Sequence, residues 1–342
     1  MSLIPVTILT GFLGAGKTTL LNRILQEQHG HKIAVIENEF GQENIDNEIL
    51  VQDSNEQIVE MNNGCICCTV RGDLIVALTT LAQKRNAGTL QFDRIIIETT
   101  GLANPGPVAQ TFFMDDEVAA HYMLDAIITV VDAKHAMHQL TEHEEAQRQV
   151  GFADKLLLSK TDLVDTTELD TLIARLKRIN PRAPINKVDF GRAPIDQILD
   201  LRGFNLNEKL EIDPNFLSVE AADHDHVHDE HCNHDHDHHH AHHSDDIAAF
   251  VFKSNRPFDS ERLDEFLGGL VQVYGPRMLR YKGVLWMKGA DRKVVFQGVH
   301  QLMGSDLGGK WATDEVRGSK MVFIGKNLPK DIFIKGLEQC LV

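Results

Sequence analysis

No stretch of this sequence approaches the roughly 20 consecutive apolar residues that a membrane-spanning helix needs, so a helical membrane protein is not expected. Basic residues are short as well: 34 Lys and Arg stand against 50 Asp and Glu, a formal charge of −16. Nothing forms the positive footprint that nucleic acid or an anionic membrane would require, and neither is expected as a partner. Cysteine is rare, with five in 342 residues: Cys65, Cys67, Cys68, Cys232 and Cys340. Three of them fall within four residues, which in a reducing compartment favours metal or redox chemistry over a structural disulfide. The start, "MSLIPVTILTGFLGAGKTT", has neither the basic n-region nor the small-residue cleavage site of a secretory signal, so the expected location is the cytoplasm.

What is present is a chain of 42% hydrophobic and 25% charged residues, long enough for two domains with separate cores. "VTILTG" (Val6–Gly11) is a short apolar run ending in glycine, hence a buried strand, and "KTTLLNRILQEQHG" follows with helical spacing and a stop at Gly30. "KIAVIENE" is the next strand, followed by a polar loop and then by "QIVEMNNG", a strand that turns into the cysteine cluster. "RGDLIVALTTLAQKR" is helical; "RIIIET", "AIITVVDA" and "KLLLSKTD" are apolar runs of the buried kind, separated by helical stretches. This alternation predicts a mostly parallel sheet with helices on both faces, the α/β architecture of a P-loop NTPase, over residues 1–205. Residues 206–246 read as a linker with a His/Asp-rich disordered segment. From 247 to 342, strands "IAAFVFKS", "MLRYKGVLWMKG", "KVVFQGVHQLMG" and "SKMVFIGKN" and helices "DSERLDEFLGGLVQVY" and "PKDIFIKGLEQCLV" predict a small α+β domain.

"GFLGAGKT" fits the P-loop spacing and lies between a predicted strand and a predicted helix, the context that gives the pattern meaning. Backbone N–H groups of Gly11, Gly14, Ala15 and Gly16, with Thr19 at the helix start, would wrap phosphates; Lys17 would reach the β- and γ-phosphates and Thr18 would ligate Mg²⁺. "SKTD" follows a strand well downstream. Asp162 there can accept both N–H groups of guanine's Watson–Crick edge, which adenine does not offer, with Lys160 laid against the base and Ser159 beside it. The expected nucleotide is therefore GTP. In "RIIIETTG", Glu98 would hold Mg²⁺ through water, orient the attacking water, or cap the loop that follows, and Gly101 would sense the γ-phosphate.

Cys65, Cys67 and Cys68 in "NNGCICC" suit Zn²⁺, Cu(I) or Co²⁺ rather than Mg²⁺ or Ca²⁺; a buried apolar trio is the plain alternative. Glu37 or Glu39, in "ENEFG", could complete three thiolates, although Glu37 serves equally well as a Mg²⁺-side or structural carboxylate. "GFLGAGKTT", "ENEFG", "NGCICC", "ETTGLANP" and "SKTD", in this order, resemble the CobW/YjiA family of P-loop GTPases, and "MLRYKGVLWMKG" with "VVFQGVHQLMG" resembles that family's C-terminal domain. The resemblance implies GTP hydrolysis coupled to metal handling and kinship with the nickel-handling GTPases of hydrogenase and urease maturation. It also implies that Gly11–Thr19 bind phosphate, that Cys65, Cys67 and Cys68 bind metal, and that Ser159–Asp162 read guanine. The family often has Asp where Asn104 stands, so a role resting on a carboxylate there is open.

Between Asp223 and Asp246 lie eight acids, no Lys or Arg, and a dense set of metal-ligand side chains: His224, His226, His228, His231, Cys232, His234, His236, His238, His239, His240, His242 and His243. The run is internal and mixed with Asp, unlike a purification tag. It reads as a weak collector of several ions or as a plain linker; imidazoles suit Zn²⁺, Ni²⁺, Co²⁺ and Cu²⁺ alike and select none.

The expected activity is a GTPase that binds a transition metal, zinc first and cobalt or nickel next, and passes it to a client metalloprotein. The alternatives are a metal buffer or sensor without productive coupling, or cobalt handling for cobalamin synthesis. Self-association is left open.

Overall fold

The computed structural model describes residues 3–27, 30–38, 47–53, 57–58, 62–63, 70–188, 190–192, 194, 198–201, 246–312 and 315–342. Their first sheet is built on six parallel strands in the order β2 (Ile33–Asn38), β6 (Arg94–Thr99), β1 (Ile4–Gly11), β7 (Tyr122–Asp132), β8 (Lys155–Ser159) and β9 (Ile185–Lys187). Beyond β2, the strand β3 (Asn47–Asp53) runs antiparallel and carries the short pieces β4 (Gln57–Ile58) and β5 (Asn62–Asn63). The sequence reading assigned 47–53 to a polar loop. The apolar stretch Ile49–Val51 instead supplies a strand of the sheet, with Ile36 paired to Ile49 and Ile33 to Gln52. "QIVEMNNG", read as one strand, contributes two separate two-residue pairings.

Period-two alternation in the parallel strands feeds two cores, one on each face. Ala34, Ile36, Ile95, Ile97, Ile127, Leu156 and Leu158 belong to one; Ile33, Val35, Ile96, Ile128 and Leu157 belong to the other. The second core is closed by α1 (Lys17–Gln26) through Leu20, Leu21 and Ile24. The first is covered by α2 (Val70–Asn86), α3 (Pro105–Met114) with its short successor α4 (Asp116–His121), α6 (Glu144–Phe152), which follows the short α5 (Ala136–Glu142), and α7 (Thr166–Ile179). α2 presents Leu74, Leu78, Leu81 and Ala82, the spacing of one helical face. α7 starts in a capping box: Asp165 accepts from the Glu168 N–H at 2.8 Å while Glu168 accepts from the Asp165 N–H at 3.2 Å.

The second sheet is antiparallel, in the order β10 (Ile247–Ser254), β14 (Ser319–Lys326), β11 (Met278–Leu285), β12 (Arg292–Val299) and β13 (Leu302–Lys310). "KVVFQGVHQLMG", read as one strand, is a hairpin: Val299 pairs with Leu302 and the chain reverses at His300 and Gln301, with His300 at φ 52°. One face holds Phe250, Phe252, Met321 and Phe323 against α8 (Ser260–Tyr274, capped by Asp259) and α9 (Lys330–Gln339, after Pro329). The opposite face, with Ile247, Leu279, Val299, Val322 and Ile324, merges into the first core. Helices α3, α6 and α7 are thus packed between two sheets. That seam buries an ion pair, Arg280 to Asp154 at 2.7 Å, with both side chains 3% exposed. Among the described residues no helix is long and apolar enough to cross a membrane.

Candidate functional site

β1 is central and ends at Gly11, so the loop Phe12–Gly16 lies at the C-terminal edge of the sheet, where ligands of open α/β folds bind. Its glycines are there for geometry. Gly14 and Gly16 have φ of 73° and 97°, and a Cβ on Gly11 would lie 2.3 Å from the Val130 carbonyl oxygen. α1 opens directly from Gly16 with no side-chain cap and no acid in its first turn. Its leading N–H groups and the positive end of its dipole therefore face the loop, an arrangement that suits phosphate.

Lys17 is 8% exposed, and its ammonium donates to the carbonyls of Gly11 at 3.0 Å and Phe12 at 3.4 Å. Burial pulls its pKa below the ordinary lysine value, and the charge of Glu98 opposes that shift. Thr18 Oγ1 donates to Glu98 Oε1 at 2.8 Å. Glu98 is the second-last residue of β6, alongside Leu9 of β1 and Glu37 of β2, so the sheet register brings two carboxylate-bearing positions side by side at the loop's edge. Thr99 Oγ1 donates to Thr10 Oγ1 at 2.8 Å, fastening β6 to β1 at the same level. Gly101 packs so tightly on the loop that an added Cβ would lie 2.6 Å from Leu13 Cδ2.

On the other side of the loop, "SKTD" acts first as a support. The Ser159 hydroxyl donates to the Ala15 carbonyl at 2.7 Å, bracing the loop Phe12–Gly16. Lys160, in the left-handed region at φ 55°, donates to the Gly14 carbonyl at 2.9 Å and to Asp132 Oδ2 at 2.7 Å. Asp162 lies in the 3-10 turn Thr161–Leu163 with its side chain exposed to solvent, free of the framework that holds its neighbours. Asp132 is the residue the sequence reading missed. It closes β7, accepts from the Lys134 N–H at 2.9 Å, and meets His135 Nδ1 at 2.9 Å. Burial alone would raise its carboxyl, but the hydrogen bonds and charges of Lys160 and His135 outweigh that and hold it below the ordinary carboxylate range. The available signal was an acid closing the buried run "AIITVV".

The turn after β6 holds two further residues. Asn104 caps α3 by accepting from the Gly106 N–H at 3.0 Å, with Pro105 at the first helical position. The cap needs an oxygen acceptor and not a charge, so Asn in place of Asp leaves this function intact. Gln149, buried in α6, donates from Nε2 to the carbonyls of Gly101 at 3.1 Å and Ala103 at 3.0 Å. Its sequence context, a polar residue in a helical stretch, gave no signal.

Several expected metal ligands lie outside the described residues: Glu39, Cys65, Cys67 and Cys68, and His224, His226, His228, His231, Cys232, His234, His236, His238, His239, His240, His242 and His243. Among the described residues no group of three or more His, Cys, Asp or Glu is placed to hold a metal ion.

Residues 5–187 match the family model described as the CobW/HypB/UreG nucleotide-binding domain, and residues 247–341 match the cobalamin synthesis protein cobW C-terminal domain. The zinc chaperone YjiA of Escherichia coli is 42% identical over 97% of this chain and 96% of its own. The zinc-regulated GTPase metalloprotein activator 1 of Schizosaccharomyces pombe is 37% identical over 77% of this chain and 65% of its own. The crystal structure of Zn(II)-bound YjiA GTPase from E. coli superimposes with a TM-score of 0.78 at 38% identity over the whole of both chains.

Proposed function

The chain belongs to the CobW/HypB/UreG family, and on that premise we propose that it is a GTPase that carries zinc and delivers it to a client protein in step with its nucleotide state. The observation that carries this reading is the loop Gly11–Thr19 at the end of the central strand, flanked on one side by Glu98 and on the other by Ser159–Asp162. Phosphates take the N–H groups of Gly11, Gly14, Ala15, Gly16, Lys17, Thr18 and Thr19. The Lys17 ammonium then exchanges two backbone carbonyls for β- and γ-phosphate oxygens, a favourable trade for a buried cation. Ser159 and Lys160 brace the loop, and the exposed Asp162 accepts from guanine. The Thr18 hydroxyl and Glu98 carboxylate form an oxygen-only donor set that would hold Mg²⁺, which would supply charge neutralisation for the phosphates. Gly101, pressed on Leu13, senses the γ-phosphate.

Cys65, Cys67 and Cys68, with Glu37 or Glu39, form the tight zinc site, and the His/Asp-rich run of 223–246 collects ions more weakly. Support comes from thiolate chemistry and from the register of Glu37 beside Glu98, which sets one candidate ligand next to the nucleotide site. We place the domain limits at 1–205 and 247–342, in keeping with the two sheets, and the location in the cytoplasm. One experiment decides between coupled delivery and passive buffering: zinc titration of the full chain with a GTP analogue, with GDP and without nucleotide, alongside phosphate release. Coupled delivery requires turnover and a zinc affinity that differs between the GTP and GDP states. Equal affinities in all three would sink it.

A further inference from the structure

The carboxamide of Gln149 holds two carbonyls only two residues apart, Gly101 and Ala103, and so clamps the turn that directly follows Glu98, Thr99 and Thr100. That turn is closed by the Ala103 N–H on the Thr100 carbonyl at 3.1 Å, and Gly101 presses on Leu13 of the phosphate loop. Only a primary amide offers two N–H donors on a neutral side chain of this length; a glutamate would oppose oxygen to oxygen, and a methionine would offer no donor. The Gln149 backbone is itself anchored, since its carbonyl accepts from Thr129 Oγ1 at 2.7 Å.

Other side chains of α6 reach the second sheet. Gln147 Oε1 accepts from the N–H of Ile247, the first residue of β10, at 3.1 Å, and its Nε2 donates to the Leu140 carbonyl at 2.8 Å. Glu144 pairs with Lys326 at 2.5 Å. Gly151 has no room for a side chain beside Leu279, with an added Cβ 2.8 Å from Leu279 Cδ1, and Phe152 meets His300 edge-on at 5.2 Å. One nine-residue helix therefore holds the turn behind the γ-phosphate side with one side chain and the start of β10 with another. β10 begins directly after Asp246, where the His/Asp-rich run ends.

Resting on the GTPase reading above, we propose that Gln149 is a positioning residue for hydrolysis: it sets the Gly101–Ala103 turn, and through α6 it links the nucleotide state to the β10 end of the second sheet. It touches no reacting atom. It acts through the backbone of the turn that carries the γ-phosphate sensor.

The test compares the full-length wild type with Gln149→Met, which keeps bulk and loses both donors, and with Gln147→Met, which leaves the turn untouched. The readouts are GDP affinity, kcat and KM for GTP, and the difference in hydrogen exchange over 247–254 between GTP-analogue and GDP states. Gln149→Met is expected to keep GDP affinity and KM, to lower kcat roughly tenfold or more because a catalytic turn is misplaced, and to erase the exchange difference at 247–254. Gln147→Met is expected to keep kcat and lose only the exchange difference. Should Gln149→Met fail to fold, Gln149→Asn withdraws the same donors by one methylene and is expected to show the same losses. Wild-type kcat in the Gln149 variant, or a nucleotide-dependent exchange difference that survives in it, overturns the proposal. A wild-type chain that binds GTP and releases no phosphate counts against the GTPase reading itself.

Discussion

The Gly11–Thr19 loop edge of the first sheet and the seam between the two sheets both bury charge, and they satisfy it differently. At the loop, Lys17 rests on two backbone carbonyls and Thr18 rests on Glu98, contacts that a phosphate or a hard cation can replace. At the seam, Arg280 and Asp154 hold each other at 2.7 Å with both side chains buried, and Asp154 Oδ2 also accepts from the Ile127 N–H at 2.9 Å. The first arrangement keeps a cation buried with partners that can be exchanged, which is what binding chemistry requires. The second sets the two charges against each other across the seam, where no ligand needs to displace them.

Breaking the seam should have the largest effect. Asp154→Ala leaves Arg280 buried without its carboxylate, and burial already pulls that guanidinium down against the opposing charge of Asp154. The expected loss is about 3–5 kcal/mol of unfolding free energy, read by denaturant melts. A loss below about 1 kcal/mol, the scale of a surface pair, would show that the seam is solvated. Breaking the loop should leave stability nearly intact and remove function: Lys17→Ala is expected to slow GTP hydrolysis roughly 10²–10³-fold, as loss of a preorganised phosphate donor does. Single-turnover kinetics check it, and a fall in melting temperature as large as that of Asp154→Ala would mean that the loop holds the fold as much as the seam does.

Asp162 sharpens the comparison, because it belongs to the loop side yet carries none of its framework. Asp162→Asn should weaken GTP about 10–100-fold, the scale of charged hydrogen bonds lost. It should improve xanthosine triphosphate, whose base carries a carbonyl at that edge; unchanged GTP affinity would show that "SKTD" only braces the loop. The smallest effect belongs to His300 in the seam. Burial lowers its pKa below the ordinary histidine value, against the pull of the Gly275, Pro276 and Met278 carbonyls and with Arg148 adding to the shift. The folded state therefore resists protonation while the unfolded chain accepts a proton near pH 6.5. This contribution to stability is complete above that pH and is lost as pH falls from there through the lower folded-state value. His300→Gln should flatten that limb of a melting-temperature profile between pH 8 and 5, and an unchanged slope would assign it to other groups.

The sequence by itself determined what is local or periodic. The loop between β1 and α1 is one contiguous stretch whose glycines answer to backbone geometry, so the strand–loop–helix placement of "GFLGAGKT" was legible, and buried parallel strands announce themselves as unbroken apolar runs. β3 escaped because three apolar residues among polar ones resemble a loop until Ile36 pairs with Ile49. Asp132, Gln149 and the seam were decided only by tertiary structure. Lys160 meets Gly14 across 146 residues, Gln149 meets Gly101 across 48, and Arg280 meets Asp154 across 126. No spacing rule spans such distances, because these partners are chosen by which strand lies beside which and by what a buried polar group finds within reach once the sheets have packed.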